Sequence, residues 1–315
     1  MLRALVFVVL IATFGHAVRA QHDAPASAAV SSETPVWSPD GTRLAFSAGP
    51  ALKHQIYVID AAGSGARRLT AGEQNRWPAW SPDGRSIVFM SDRDGQGELY
   101  TMNPDGSSQR RLTYTPVHEF APVWSPKGDV IAYLTEMPGG KQRLMRMRPD
   151  GTDVRQLDGD HLAYGKPGMR PDGAAVLLAA NRDADATVSD KWRVRCRIFA
   201  YPIGGAAPAA LTAPGFDSNP TMSPDGRTLV VDSGDGTGWA SDKGQWDLWM
   251  LDLASGRRTR LTSTPVNDWG AAWSPDGKWL AFGAGLNRVY SLTIAAADGS
   301  SRRTLTRTDA LPGDR

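Results

Sequence analysis

Trp80-Ser81-Pro82-Asp83-Gly84 begins a stretch that recurs along the whole chain. The same turn stands at Ser38 to Gly41, at Ser125 to Gly128 with Lys127 for the acid, at Arg170 to Gly173 with arginine for serine, at Ser223 to Gly226 and at Ser274 to Gly277. Each residue type has a reason. Proline presets φ at the second position, aspartate bonds nearby amides, and glycine takes the positive φ needed to re-enter a strand. The residue before the turn is Trp37, Trp80, Trp124, Met169, Met222 and Trp273, so six units follow one another at intervals of 43, 44, 45, 53 and 51 residues. Periods of roughly 40–50 residues built from short strands belong to propeller blades.

Working outward from the turn, an apolar strand follows, as in Ser86-Ile87-Val88-Phe89, then a third strand such as Leu99-Tyr100-Thr101-Met102, a glycine turn at Asp105-Gly106, and a fourth strand ending in Leu112-Thr113. Leu-Thr returns at Leu69-Thr70, Leu211-Thr212, Leu261-Thr262 and Leu305-Thr306, with Leu157-Asp158 as the variant. The pattern predicts an all-β fold, a six-bladed β-propeller of four antiparallel strands per blade over residues 34–306. The Trp and Met residues before the turns are expected to fill the spaces between blades. Residues 24–33 show no clear strand pattern, and the last unit holds all four of its strands at the C-terminal end, so the reading closes the ring by side-chain packing between the first and sixth blades.

Ahead of the repeats, Arg3, an apolar run from Ala4 to Phe14, and Val18-Arg19-Ala20 read as a secretory signal peptide over residues 1–20, followed by a flexible segment at 21–33; a tail occupies 307–315. The expected location is periplasmic or secreted. Arg3 and Arg19 fall within the signal, which leaves 33 of the 35 basic residues against 33 acidic ones. A chain balanced in this way lacks the clustered positive field that nucleic acid requires. The single cysteine, Cys196, has no internal partner for a disulfide.

Trp-Ser-Pro-Asp-Gly, an apolar strand, Ser91-Asp92-Arg93-Asp94-Gly95, a tyrosine-bearing strand and Arg111-Leu112-Thr113 together resemble the propeller of the TolB family. That resemblance implies a periplasmic propeller that binds envelope proteins, with a separate N-terminal domain that is lacking here, since only residues 21–33 stand between the signal and the first repeat. Related repeats also occur in propellers of prolyl oligopeptidases and of oligogalacturonate lyases. The peptidases carry a Gly-x-Ser-x-Gly nucleophile, which this sequence does not contain. The lyases call for a histidine-rich metal site, and past the signal only His22, His54, His118 and His161 are present.

Loops between blades, and loops joining second to third strands, share one face of a propeller and gather its variable residues. Counting five residues back from each Trp or Met gives Ser32, Asn75, Glu119, Tyr164, Asp217 and Asp268, one per repeat. Either this column caps its own loops, or Glu119, Asp217 and Asp268 hold a divalent cation such as calcium; no other cofactor is expected. Trp77 and Trp269 lie outside the Trp column and form an aromatic rim beside Asn219, His118 and His161. Two insertions, Asn181 to Trp192 and Ser233 to Trp246, add Trp192 and Trp239 over the same mouth. The resulting expectation is a monomeric binding module for an envelope protein or peptide, not inserted in the membrane, rather than an enzyme. The alternative is a carbohydrate-active or metal-assisted hydrolase or lyase that uses the acidic ring.

Overall fold

Ser38 shows how the repeated turn holds together. In the computed structural model, which describes residues 31–50, 53–182, 195–234, 245–286, 289–306 and 311, Ser38 Oγ donates to Asp40 Oδ1 at 2.6 Å and accepts from Arg43 N at 3.0 Å. Asp40 Oδ1 also accepts from Thr42 N at 3.0 Å, and Gly41, at φ 70°, donates its amide to Ser38 O at 2.9 Å. The serine bond is the largest cause holding Asp40, Asp83, Asp225 and Asp276 below the usual carboxylate range. Where Lys127 replaces the acid, Asp129 accepts from Ser125 Oγ at 2.6 Å instead.

The turns also touch one another. A methyl group built on Gly84 would lie 3.8 Å from the Pro39 ring, on Gly128 3.2 Å from Pro82, and on Gly41 3.7 Å from Pro275. Each of these glycines therefore sits against the proline of the preceding unit, and the first unit sits against the sixth.

Unit one comprises β1 (Ser31–Trp37), β2 (Arg43–Gly49), β3 (Gln55–Asp60) and β4 (Arg67–Arg68), and unit two β5 (Asn75–Trp80), β6 (Ile87–Ser91), β7 (Glu98–Met102) and β8 (Arg110–Arg111). Units three and four run through β9 (Glu119–Trp124), β10 (Ile131–Met137), β11 (Lys141–Met147), β12 (Arg155–Met169), β13 (Ala175–Asn181), β14 (Arg197–Pro202) and β15 (Ala209–Ala210). Unit five holds β16 (Asp217–Met222), β17 (Thr228–Gly234), β18 (Trp246–Asp252) and β19 (Arg258–Arg260), and unit six β20 (Asn267–Trp273), β21 (Trp279–Leu286), β22 (Val289–Ala296) and β23 (Arg303–Thr304). All pairings are antiparallel, in four four-stranded sheets and one seven-stranded sheet. Among the described residues, no helix is long and apolar enough to cross a membrane.

Leu-Thr explains why the fourth strands are so short. Leu69 N donates to Ile56 O at 2.8 Å, and Thr70 Oγ1 accepts from Ile56 N at 2.9 Å. Leu112-Thr113, Leu211-Thr212, Leu261-Thr262 and Leu305-Thr306 repeat this pair of bonds with Leu99, Ile198, Leu248 and Leu292. The threonine hydroxyl stands in for a backbone acceptor and completes the ladder where the strand ends.

The first strands break register once each, and a residue with positive φ sits at the break: Thr34, Trp77, Ala121, Gly165, Asn219 and Gly270. Proline follows directly in Pro35, Pro78, Pro122 and Pro220. An edge strand tolerates proline because it has no ladder bond to lose there, and bulges concentrate on such edges. The bulged strands contact one another in the sequence β1, β5, β9, β12, β16, β20, and β20 contacts β1.

The core lies between units. Trp80 packs with Ala45, Ile56 and Val58 of unit one, Met222 with Leu177, Ala179 and Ile198 of unit four, and Trp37 with Ala281, Leu292 and Ile294 of unit six. At this last seam Trp37 Nε1 donates to Ala272 O at 3.2 Å, and Arg303 donates to Ala61 O and Ala62 O, just as Arg67 donates to Pro104 O and Asp105 O one seam later.

Two features depart from the sequence reading. β1 starts at Ser31, because Ser31, Ser32 and Glu33 keep pairing with Gly49, Ala48 and Ser47 beyond the bulge; this polar run has no alternation to betray a strand. β12 is one strand of 15 residues. It pairs with β11 as far as His161 and with β13 from Leu162, which joins the third and fourth units into a single sheet. The proposed signal peptide lies outside the described residues.

Candidate functional site

In units two and three the first residue of the first strand meets the start of the preceding unit's third strand. Glu119 N donates to Gly97 O at 2.8 Å, and Asn75 N donates to His54 O at 2.7 Å. Side chains pair across the same seams. Asn75, fully buried, donates from Nδ2 to Gln55 Oε1 at 2.9 Å and to Glu73 O at 2.7 Å, and its Oδ1 accepts from Arg93 at 3.1 Å. Glu119, also buried, takes a bond from Thr115 Oγ1 at 2.9 Å and lies beside Glu98, which is held by Thr113 at 2.7 Å and Arg111 at 2.5 Å. Burial, with the Glu98 carboxyl adding to it, pushes Glu119 up to about 7.

Asp217 and Asp268 instead accept paired bonds from arginine. Arg258 reaches Asp217 at 2.7 and 3.0 Å, and Arg302 reaches Asp268 at 2.7 and 2.8 Å. Asp247, next to Asp268, is held by Arg260 at 2.6 Å; burial still raises it. The structure does not bring Glu119, Asp217 and Asp268 together as one set of cation ligands: each is turned into its own seam, and among the described residues no group of three His, Cys, Asp or Glu side chains could hold a metal ion. Register also moves one member of the column. Because β12 carries one extra residue at its bulge, Ala163 rather than Tyr164 stands where Asn75 stands in unit two. Tyr164 instead packs, half-buried, against the core between units four and five.

Along the rim, half-buried Trp77 packs against Phe120 with ring centroids 5.4 Å apart, and the Arg76 guanidinium lies 4.7 Å over the Trp77 ring. Trp269 meets Tyr290 edge-on at 5.3 Å. His118 is exposed and accepts from Gly97 N through Nδ1 at 2.9 Å, while His161 faces Asp158 at 3.3 Å, so the two histidines serve separate partners. Trp192 and Trp239 lie outside the described residues; the stems of their insertions do not. Asn181 Nδ2 donates to Arg195 O at 2.8 Å, and Gly234 pairs with Trp246.

The family described as the TolB beta propeller domain matches residues 8–209. This chain belongs to that family. Among relatives of the TolB propeller chain, the Tol-Pal system protein TolB of Anaeromyxobacter dehalogenans is 36% identical over 186 residues, covering 57% of this chain and 38% of that protein. The uncharacterized peptidase YuxL of Bacillus subtilis is 26% identical over 169 residues, 53% of this chain and 22% of its own length. The chain thus spans well under half the length of both. By fold, TolB from Acinetobacter baumannii superposes with a TM-score of 0.65 at 19% identity, covering 87% of this chain and 62% of that one. An oligogalacturonate lyase in complex with manganese gives 0.54 at 15%, covering 85% and 90%.

Sequence reasoning on this TolB-family chain missed Gln55, Glu98 and Asp247, although each is a polar residue at the start of a third strand, 15 residues before the Leu-Thr threonine. It also missed Asp232, an acid that directly follows the apolar run Leu229-Val230-Val231 and is fully buried. Both oxygens of Asp232 accept from Gly270 N at 3.0 Å, and Oδ2 accepts from Asn219 Nδ2 as well. Burial pushes the Asp232 carboxyl up to about 7.

Proposed function

We propose that this chain is a periplasmic or secreted propeller of six four-stranded blades whose loop mouth binds an envelope protein or peptide. In this reading, β12 serves both as the last strand of blade three and as the first of blade four. The observation that carries the binding role is how the mouth carboxylates are engaged. Asp217 and Asp268 are bound by Arg258 and Arg302, which leaves half-buried aromatic and arginine side chains, Trp77 and Arg76 foremost, as the chemistry available to a partner. Aromatic residues and arginine dominate the energetics of protein recognition. Membership of the TolB family supports the same reading. A lyase or hydrolase built on these acids would first have to break the two arginine clasps.

The test is a cross-linked pull-down from cell envelopes with residues 21–315, set against a variant carrying Trp77→Ala and Trp269→Ala with both insertions shortened. A partner recovered by the first chain and lost by the second is the expected result; equal recovery would sink the mouth as the binding surface.

A further inference from the structure

Unit five carries an acid, Asp232, at a position where the other units have none. At the position of Asp232 they have Ser47, Met90, Leu134, Ala179 and Gly283. β12 differs as well. Gly165, Lys166 and Pro167 stand opposite Leu178 alone, whereas in unit two only Trp77 and Pro78 stand opposite Phe89. The bulge that accommodates the extra residue carries Lys166.

The Lys166 amide donates to Asn219 Oδ1 at 2.7 Å, which fixes its backbone against unit five. Its side chain runs toward unit one, where Nζ stands 3.5 Å from Pro35 O. An ammonium has three N–H donors, so this one long contact leaves most of its capacity unused, and among the described residues no carboxylate pairs with it. Asp232 is the acid behind it, but its oxygens are taken by Gly270 N and Asn219 Nδ2. Asp217, farther along, is clasped by Arg258. Lys166 is only half-buried. Its pKa, lowered to about 8 by burial against the pull of Asp232, is that of an ammonium short of solvation and of partners.

We propose that Lys166 is the seat of a carboxylate that enters the channel on a bound peptide, either an aspartate or glutamate side chain or a chain terminus. This inference rests on the peptide-binding reading above and names the chemistry of the segment bound. A carboxylate suits the site better than a dianionic phosphate: one ammonium matches one negative charge, and a second would face Asp232.

The test titrates the full chain, with isotopically labelled lysine, against acetate and against acetylated, amidated Gly-Glu-Gly and Gly-Gln-Gly, following the Lys166 NMR signal identified by its loss in Lys166→Met. A saturable shift with acetate and with the glutamate peptide is expected, with the glutamine peptide about tenfold weaker or worse, a difference of about 1.4 kcal/mol. Lys166→Arg should bind the glutamate peptide, and Lys166→Met, its fold checked by thermal melting, should not. Equal response to the two peptides, or undiminished calorimetric binding by Lys166→Met, would overturn the inference. In the envelope pull-down, a partner recovered equally by wild type and Lys166→Met would overturn it while leaving the binding reading intact. A glutamate-selective shift without any recovered partner would do the reverse.

Discussion

Between units two and three, the buried acids Glu98 and Glu119 have one arginine, Arg111, and two threonines; between units five and six, Asp247 and Asp268 have an arginine each. Between units one and two the same positions hold the amides Gln55 and Asn75. One place in the fold is thus filled by a neutral pair, a charge-balanced quartet, and a pair with one charge too many. In the last case burial and repulsion leave Glu119 holding its proton into the neutral range. The difference teaches that the seam requires hydrogen bonds rather than charge, and that the charge state is settled locally by whichever arginine is within reach.

The largest test of that contrast is Arg302→Ala. It strands a fully buried Asp268, and losing one partner of a buried pair costs about 3–5 kcal/mol. Chemical denaturation should record that loss, and adding Asp268→Asn should recover much of it. Failure of the double variant to recover would mean that the arginine acts mainly by packing over Phe282, which its guanidinium covers at 5.1 Å.

Glu119→Gln should act in the opposite direction. The native carboxyl, raised from an ordinary 4.5 to about 7, binds its proton more tightly folded than unfolded. Its contribution is therefore complete below pH 4.5 and fades as pH rises toward 7, with a slope of up to about 1.4 kcal/mol per pH unit. The glutamine variant should lose that slope and be the more stable chain at pH 8. Melting curves at pH 5 and pH 8 that shift in parallel would rule out a carboxyl at Glu119 that holds its proton into the neutral range.

The smallest effect separates two threonines. Thr113→Val removes the acceptor for Leu99 N and a donor 2.7 Å from Glu98, while Thr262→Val removes the equivalent acceptor but a donor 3.5 Å from Asp247. Leaving a buried polar group without its partner costs about 1–3 kcal/mol, so the first substitution should cost more than the second. Equal costs would show that the ladder bond is the whole of the threonine's role.

Much of the fold was legible because its signals are local. Ser-Pro-Asp-Gly, Leu-Thr and the Trp column are each read within a few residues, and each proved to have its own hydrogen bonds or packing partner. The seam pairs were not legible for the converse reason. Glu98 and Glu119 are separated by a whole outer hairpin, and nothing in either segment announces the other. Tyr164 was misassigned because a single added residue, Lys166, shifts the count without altering the motif. Asp232 was hidden by its apolar neighbours, and its partners Asn219 and Gly270 come from two different first strands.

The continuous β12 gives the two insertion stems different foundations. To separate unit three from unit four, backbone hydrogen bonds must be broken, so the stem at Asn181 and Arg195 grows from a stiff plate of seven strands. The stem at Gly234 and Trp246 grows from a four-stranded sheet that is tied to unit four by the Cys196–Gly215 backbone pair and the Lys166 N–Asn219 Oδ1 bond, and to unit six by Gly270 N on Asp232. One stem thus rises from a sheet shared by two units, and the other from a sheet tied to its neighbours by isolated hydrogen bonds.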